Sequence, residues 1–326
     1  MENMTQDTSG GKGANAPGRD HYSDIMEKYG KLGPMKVAVV HPVSANVIEA
    51  VLEAVAENLI DPVLIGPAAR IRAACAKCSV ALDALTIIDT EHSHASAAKA
   101  AELAARGDVD AIMKGALHTD ELLSAIVPSA AGLRTERRIS HAYIMNIATY
   151  HKPLIITDAA INIAPTLDQK ADICQNAIDL WGVLFGHERR PKLALLSAVE
   201  VVMTALPSTI EAAALCKMAD RGQITGGDLD GPLAFDNAIS KEAAADKGIA
   251  SSVAGDADIL MVPNIETGNA LAKQMIFLGK ADAAGIVLGA RVPVILTSRA
   301  DSTRTRLLSC CVALALSRAY KEGRIK

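Results

Sequence analysis

Aromatic residues are scarce: Phe, Trp and Tyr make up 3% of the 326 residues. That scarcity removes the stacking platforms on which single-stranded nucleic acid is held. Positive charge is not in surplus either. The formal net charge is -4, so no global basic field draws nucleic acid. No apolar run reaches the length of a membrane span. No charged segment followed by an apolar one marks a secretory leader, and the expected setting is cytoplasmic. The six cysteines (Cys75, Cys78, Cys174, Cys216, Cys310 and Cys311) lie scattered in apolar helical contexts, with no disulfide framework. Cys75 and Cys78 have metal or redox spacing, but they sit in an Ala-rich segment without a second pair. They read as buried or half-buried thiols, and no metal site is assigned.

What is abundant is small and aliphatic: half of the chain is hydrophobic, enough for a large core and more than one domain. The first 33 residues are polar and rich in Gly, Asn, Asp and Ser, and the first twenty read as disordered. Residues 21–29 read as a short helix docked on the body. From Met35 onward strands alternate with helices. Strands are expected at 35–40, 62–65, 86–89, 111–113, 142–147, 154–157, 193–197, 259–262, 285–288 and 294–297. Helices are expected at 45–58, 68–76, 95–106, 169–185, 209–221, 240–248 and 268–278, and again after Ser302. This alternation predicts an α/β fold with a doubly wound, mostly parallel sheet.

Residues 293–305 carry the strongest functional signal. A β-branched run, 293–297, ends in Ser298-Arg299-Ala300-Asp301-Ser302 and opens a helix. A strand, a short polar loop and a helix start form a common ligand position in α/β proteins. The helix start favours anions, and Arg299 adds a planar cation. The plainer alternative is that Asp301 or Ser302 caps the helix and Arg299 is a surface ion-pair residue. Other loops raise the same choice. Lys114-Gly115-Ala116-Leu117-His118-Thr119-Asp120 follows a strand and offers a cation suited to phosphate, or else a helix cap. Arg134, Arg137 and Arg138 fall within five residues, as an anion site or as a solvated face. Asp158 and Asn162 read as loop-ordering residues. Asp230-Gly231-Pro232 reads as turn chemistry. Gly268 and Asn269 suit N–H and amide contacts to a ligand, or a cap.

Taken together and in order, these segments resemble a known family. KGALHTDEL, the SH of ISHAYIM, LIITDAAINIAP, LDGPLAFDNAIS, SSVAGDADILMVPNIETGN and LTSRADS are similar to the phosphate acetyltransferase and phosphate butyryltransferase family over about residues 36–316. The wording is closest to the butyryl branch, and closer still to the transferase half of fusions of enoyl-CoA hydratase with phosphate acetyltransferase.

The resemblance implies acyl-CoA plus phosphate giving acyl phosphate plus CoA, reversibly, with the acyl group acetyl or short-chain such as butyryl. It implies coenzyme A as a substrate, no permanently bound cofactor, and a homodimer. It also implies two α/β/α domains like those of isocitrate and isopropylmalate dehydrogenases, with the site in the cleft between them. On that pattern residues 1–34 are an extension, 35–139 with 290–326 form the first domain, and 140–289 form the second. Ser298 would hydrogen-bond the reacting carbonyl or phosphate, and Arg299 would bind phosphate and the developing oxyanion.

The acetyltransferases' Asp, seven positions after that Ser, is Thr305 here, and Asp301 is taken in its place. The acetyltransferases' Ser/Thr/Gly-rich loop is replaced by Leu196-Ser197-Ala198-Val199-Glu200. Ser140 matches the family clearly. Lys114, His118, Thr119, Arg134, Arg137, Arg138, Asp230, Gly255, Gly268 and Asn269 are candidates for holding CoA or acyl phosphate. Two alternatives stand beside this reading: a non-catalytic acyl-CoA-binding homologue, and a dehydrogenase of the same fold. The dehydrogenase would need a cluster of metal-binding aspartates and a nucleotide loop, and the sequence assembles neither.

Overall fold

A computed structural model describes residues 21–78, 85–297 and 302–325. The first twenty residues, expected to be disordered, lie outside the described residues. So do Ser298, Arg299 and Asp301.

The chain opens with α1 (His21–Tyr29), then β1 (Met35–Val40), α2 (Ala45–Ala56), β2 (Ile60–Gly66), α3 (Ala68–Lys77) and β3 (Thr86–Asp89). It continues with α4 (Ser93–Arg106), β4 (Ala111–Lys114) and α5 (Thr119–Ile126). Two strands without an intervening helix follow, β5 (Ser140–Asn146) and β6 (Leu154–Thr157), then α6 (Leu167–Phe185), β7 (Lys192–Leu196) and α7 (Pro207–Asp220). Next come β8 (Asp228–Leu233), α8 (Phe235–Ile239), α9 (Lys241–Asp246), β9 (Ile259–Met261) and α10 (Ile265–Phe277). The chain closes with β10 (Asp282–Leu288), β11 (Val294–Ile295) and α11 (Thr303–Lys321).

These strands form one 11-stranded sheet in the order β3-β2-β1-β4-β11-β10-β5-β6-β9-β7-β8. The outer blocks are parallel, as the alternation predicts. The middle is not: β10 runs antiparallel to both β11 and β5, and β5 antiparallel to β6. Two of these three pairings have a local reason: β5–β6 and β10–β11 are each joined by a short loop, and a short connection can only turn the chain back on itself.

Successive side chains of a strand point to opposite faces, and here that alternation partitions the core. On one face Val37, Val39, Met113, Ile295, Ile286, Ala142, Ile144, Ile155, Ile259 and Leu193 belong to a single continuous cluster. Buried residues of α1, α2, α6, α7 and α11 complete it. The short helix α1 docks there as expected: Ile25 and Tyr29 are buried, and the Tyr29 hydroxyl donates to the Leu184 carbonyl at 3.0 Å. On the opposite face the core is divided. Val40, Ile112, Val294 and Leu296 pack with α4 and α5, whereas Met145, Ile156, Ala194 and Leu260 pack with α8, α9 and α10. Between these clusters no helix of the described residues covers the centre of the sheet.

One part of the expected order is different. Asp230-Gly231-Pro232, read as a turn, lies within the edge strand β8, and its pairing with β7 shifts register between Ala194 and Leu196. Pro is tolerated there because an edge strand leaves one row of N–H positions unpaired.

A buried ion cluster fixes the start of β9. Asp258 is fully buried. It accepts two bonds from Arg189, at 2.6 and 2.8 Å, and one from the Lys192 backbone N–H at 2.8 Å. Lys152 lies 2.8 Å away. Burial works against the Asp258 charge, but Arg189 and Lys152 hold its carboxyl below the usual range. Asp258→Ala should cost about 1–3 kcal/mol: the Lys192 N–H loses its acceptor, while Arg189 is half-exposed and Lys152 keeps Asp256 at 2.9 Å. Urea denaturation of wild type and variant measures that difference, and a change under 1 kcal/mol would mean that the cluster is only peripheral.

Candidate functional site

The uncovered centre of the sheet forms the floor of a cleft of about 680 Å³. Tyr143, Leu296 and Thr297 line the floor; Lys114, Leu117, His118 and Thr119 line one wall; Ala160, Ile265, Glu266 and Asn269 line the other. The first wall is built by β4 and the turn into α5. Lys114 is the last residue of β4 and shares its face with Ile112, so it points toward the divided side of the sheet; it is 8% exposed. The N-cap of α5 is His118, whose side chain makes no capping bond, and Thr119 and Asp120 lie inside the first turn.

The loop after β6 builds the second wall, and Asp158 shapes it from inside. Its carboxylate accepts from Ala160 N at 2.9 Å, Ile161 N at 3.0 Å and Asn162 Nδ2 at 2.6 Å. Burial pushes its pKa up, against the pull of these donors. Asn162 Nδ2 also donates to the Ile139 carbonyl at 2.9 Å. The helix α10 packs tightly onto this loop. A Cβ at Gly268 would lie 2.5 Å from the Asp158 carbonyl oxygen, so its missing side chain lets the helix touch the loop. Asn264 caps α10, accepting from Thr267 N at 3.0 Å. Asn269 lines the cleft while donating to the Ala159 carbonyl at 3.2 Å.

Ser298, Arg299 and Asp301 lie outside the described residues, but both flanks of their loop are described. Thr297 lines the cleft floor, and Ser302 caps α11 by accepting from Thr305 N at 3.1 Å. Lys114, Thr297 and Arg306 line a small adjoining cavity of about 20 Å³, so two cations border the ends of that loop. Thr305, where the acetyltransferases carry Asp, is 8% exposed, and its hydroxyl accepts from Ser302 Oγ at 3.2 Å.

The other predicted residues do not line the cleft. Arg134 is exposed and donates to Ser129 Oγ at 3.2 Å. Arg137 pairs with Asp179 of α6, on the far side of the sheet. Arg138 donates through Nε to Asn162 Oδ1 at 2.7 Å, bracing the loop from behind. Ser140 is fully buried, and its Oγ accepts from Asn176 Nδ2 of α6 at 3.0 Å. Asp230 accepts from the Gly231 N–H at 2.8 Å on the edge strand, four strands away from β5. Gly255 has φ +74 and would place a Cβ 2.5 Å from Lys241 Cα, so it is a turn residue packed under α9.

Sequence reasoning passed over His141 and Tyr143, although both stand in the quoted ISHAYIM. They are two apart on β5 and therefore share the cleft face. Their rings meet edge to face, with centroids 4.5 Å apart and planes at 76°. His141 is fully buried, and neither ring nitrogen has a hydrogen-bond partner among the described residues. Two rings in an i, i+2 pair, in a chain with few aromatics, were the available signal.

Burial lowers the His141 pKa from 6.5 to about 3. As pH falls below 6.5, the unfolded chain takes up a proton there that the folded chain refuses until about pH 3. This group alone should therefore remove about 1.4 kcal/mol of stability per pH unit across that window. His141→Phe is expected to flatten the fall in urea-unfolding free energy between about pH 6.5 and 4.5. An unchanged slope would show that the folded state does not hold the ring neutral.

Residues 92–314 match the family model described as phosphate acetyl/butaryl transferase. A phosphate acetyltransferase of Rickettsia felis is 56% identical over 293 residues, covering 90% of this chain and 84% of that protein. A phosphate butyryltransferase of Clostridium acetobutylicum is 38% identical over 292 residues, covering 90% of this chain and 96% of that one. Among solved structures, a branched-chain phosphotransacylase from Enterococcus faecalis V583 superposes with a TM-score of 0.75 at 29% identity, over 87% of this chain and 99% of that chain. The matched region takes in both walls and the floor of the cleft, and the chain belongs to the phosphate acetyl/butyryl transferase family.

Proposed function

We propose that this protein moves an acyl group between coenzyme A and inorganic phosphate: acyl-CoA + phosphate ⇌ acyl phosphate + CoA. The observation that carries the reading is the cleft, where buried Lys114 and Thr297, the residue before Ser298-Arg299, line one cavity. In the direction of CoA acylation, the thiolate attacks the acyl carbon, a tetrahedral oxyanion forms, and the C–O bond to phosphate breaks. A free thiol has a pKa of roughly 8.5, so cations near the sulfur favour the thiolate. Ser298 hydrogen-bonds the carbonyl oxygen, Arg299 holds phosphate and the oxyanion, and Asp301 receives the thiol proton. Holding both substrates in one cleft supplies much of the rate through orientation. Acetyl is the proposed acyl group, on the 56% identity to a protein named phosphate acetyltransferase against 38% to a butyryltransferase.

The two-domain division, 35–139 with 290–326 and 140–289, is supported by the sheet order. That order gathers β1–β4 and β11 on one side and β5–β10 on the other. The cytoplasm remains the proposed setting; no helix among the described residues is long and apolar enough to cross a membrane. A homodimer is proposed as well. Val201, Val202 and Met203, consecutive and 66%, 54% and 45% exposed, offer apolar surface of the kind that interfaces cover.

Wild type should form acyl phosphate from acetyl-CoA and phosphate. Ser298→Ala and Arg299→Ala should each lower kcat by about 10²–10³. CoA binding without turnover on acetyl-, propionyl- and butyryl-CoA would instead favour a non-catalytic homologue. Light scattering should return twice the chain mass; a monomer would remove the dimer from the account.

A further inference from the structure

We infer that the acyl chain ends against Tyr143, and that this ring, propped by His141, sets the length of chain the cleft accepts. The inference rests on the acyl-transfer reading and adds to it the group that measures the substrate.

The geometry begins at Leu296. It lies two residues before Ser298 in the chain and forms part of the cleft floor, which gives that floor an apolar side chain. Tyr143 is the aromatic side chain of that floor. Its cross-strand partner on β10 is Gly285. A Cβ at Gly285 would stand 2.5 Å from the Leu296 carbonyl oxygen, 3.2 Å from Tyr143 Cε1 and 3.3 Å from His141 Nε2. The missing side chain lets the ring lie across β10 toward Leu296. Any larger residue at that position would displace one of the three.

Behind the ring stands His141. A buried imidazole with no hydrogen-bond partner among the described residues is costly and calls for an explanation. Among the described residues its one ring contact is the edge-to-face pairing with Tyr143 at 4.5 Å, which blocks the tyrosine from tilting toward it. The floor at Tyr143 is therefore a fixed stop rather than a compliant one. The adjoining Leu117 and Ile265 give an acyl tail apolar flanks without lengthening the space.

The test compares kcat/KM for acetyl-, propionyl- and butyryl-CoA with phosphate in wild type, Tyr143→Phe and Tyr143→Leu. One methylene more or less in an apolar pocket is worth about 10–200-fold in discrimination. Tyr143→Leu should accordingly raise the butyryl-to-acetyl ratio by about 10-fold or more. Tyr143→Phe, which keeps the ring, should hold the wild-type ratio whatever its absolute rate. Should Tyr143→Leu not fold, Tyr143→Trp reads the same stop from the other direction: propionyl should be lost before acetyl. Ratios within about twofold of wild type in these variants, or equal loss for every chain length, overturn the inference. A wild-type protein that forms no acyl phosphate from any of the three thioesters fails at the earlier step, the acyl-transfer reading itself.

Discussion

The side-chain alternation of the central strands is the constraint on which the rest depends. On β4, β11, β10 and β5, every second residue enters a core that runs unbroken across the sheet, covered by α1, α2, α6, α7 and α11. The remaining residues face two separate helical layers with a gap between them. One face therefore binds the two halves together, and the other leaves room for a substrate. A one-residue slip on β5 would turn His141 and Tyr143 into the continuous core and bring Ser140 and Ala142 to the cleft. The antiparallel pairing of β10 with β5, seven residues in register, guards against that.

Much of this was legible. Strand 86–89 and strand 154–157 have the bounds that their β-branched runs suggest, and α2, α3, α4, α6 and α7 fall within two residues of the expected spans, whereas α8 was not expected and α10 begins three residues early. The two antiparallel turns were present in the sequence as pairs of strands with no helix between them. What pattern alone did not separate was direction within a loop. Arg134, Arg137 and Arg138 look like one cationic patch when written in a line. On an extended connection neighbouring side chains diverge, and these three reach Ser129, Asp179 and Asn162 in turn. The Ser140-His141 pair shows the same effect: adjacent strand residues face opposite sides, so only one of them can belong to the cleft.

The glycines and carboxylates of the quoted segments mostly do structural work. Asp158 gathers the backbone N–H groups of the second wall, Asn162 ties it to Ile139 and Arg138, and Gly268 lets α10 rest on it. These residues hold the wall at a fixed distance from Lys114 and Thr297. A reaction that depends on orienting two substrates needs that rigidity more than it needs many charged groups. The cations that do border the Ser298-Arg299 loop, Lys114 and Arg306, come from β4 and α11. Distance in sequence hid them as a pair.

A crystal structure with CoA and phosphate bound tests the central claim most directly. The account predicts the CoA sulfur and the phosphate together in the cleft, between the loop that follows Thr297 and the wall formed by Ala160 and Asn269. Both ligands bound outside that cleft, with its floor left in contact with solvent, would contradict it.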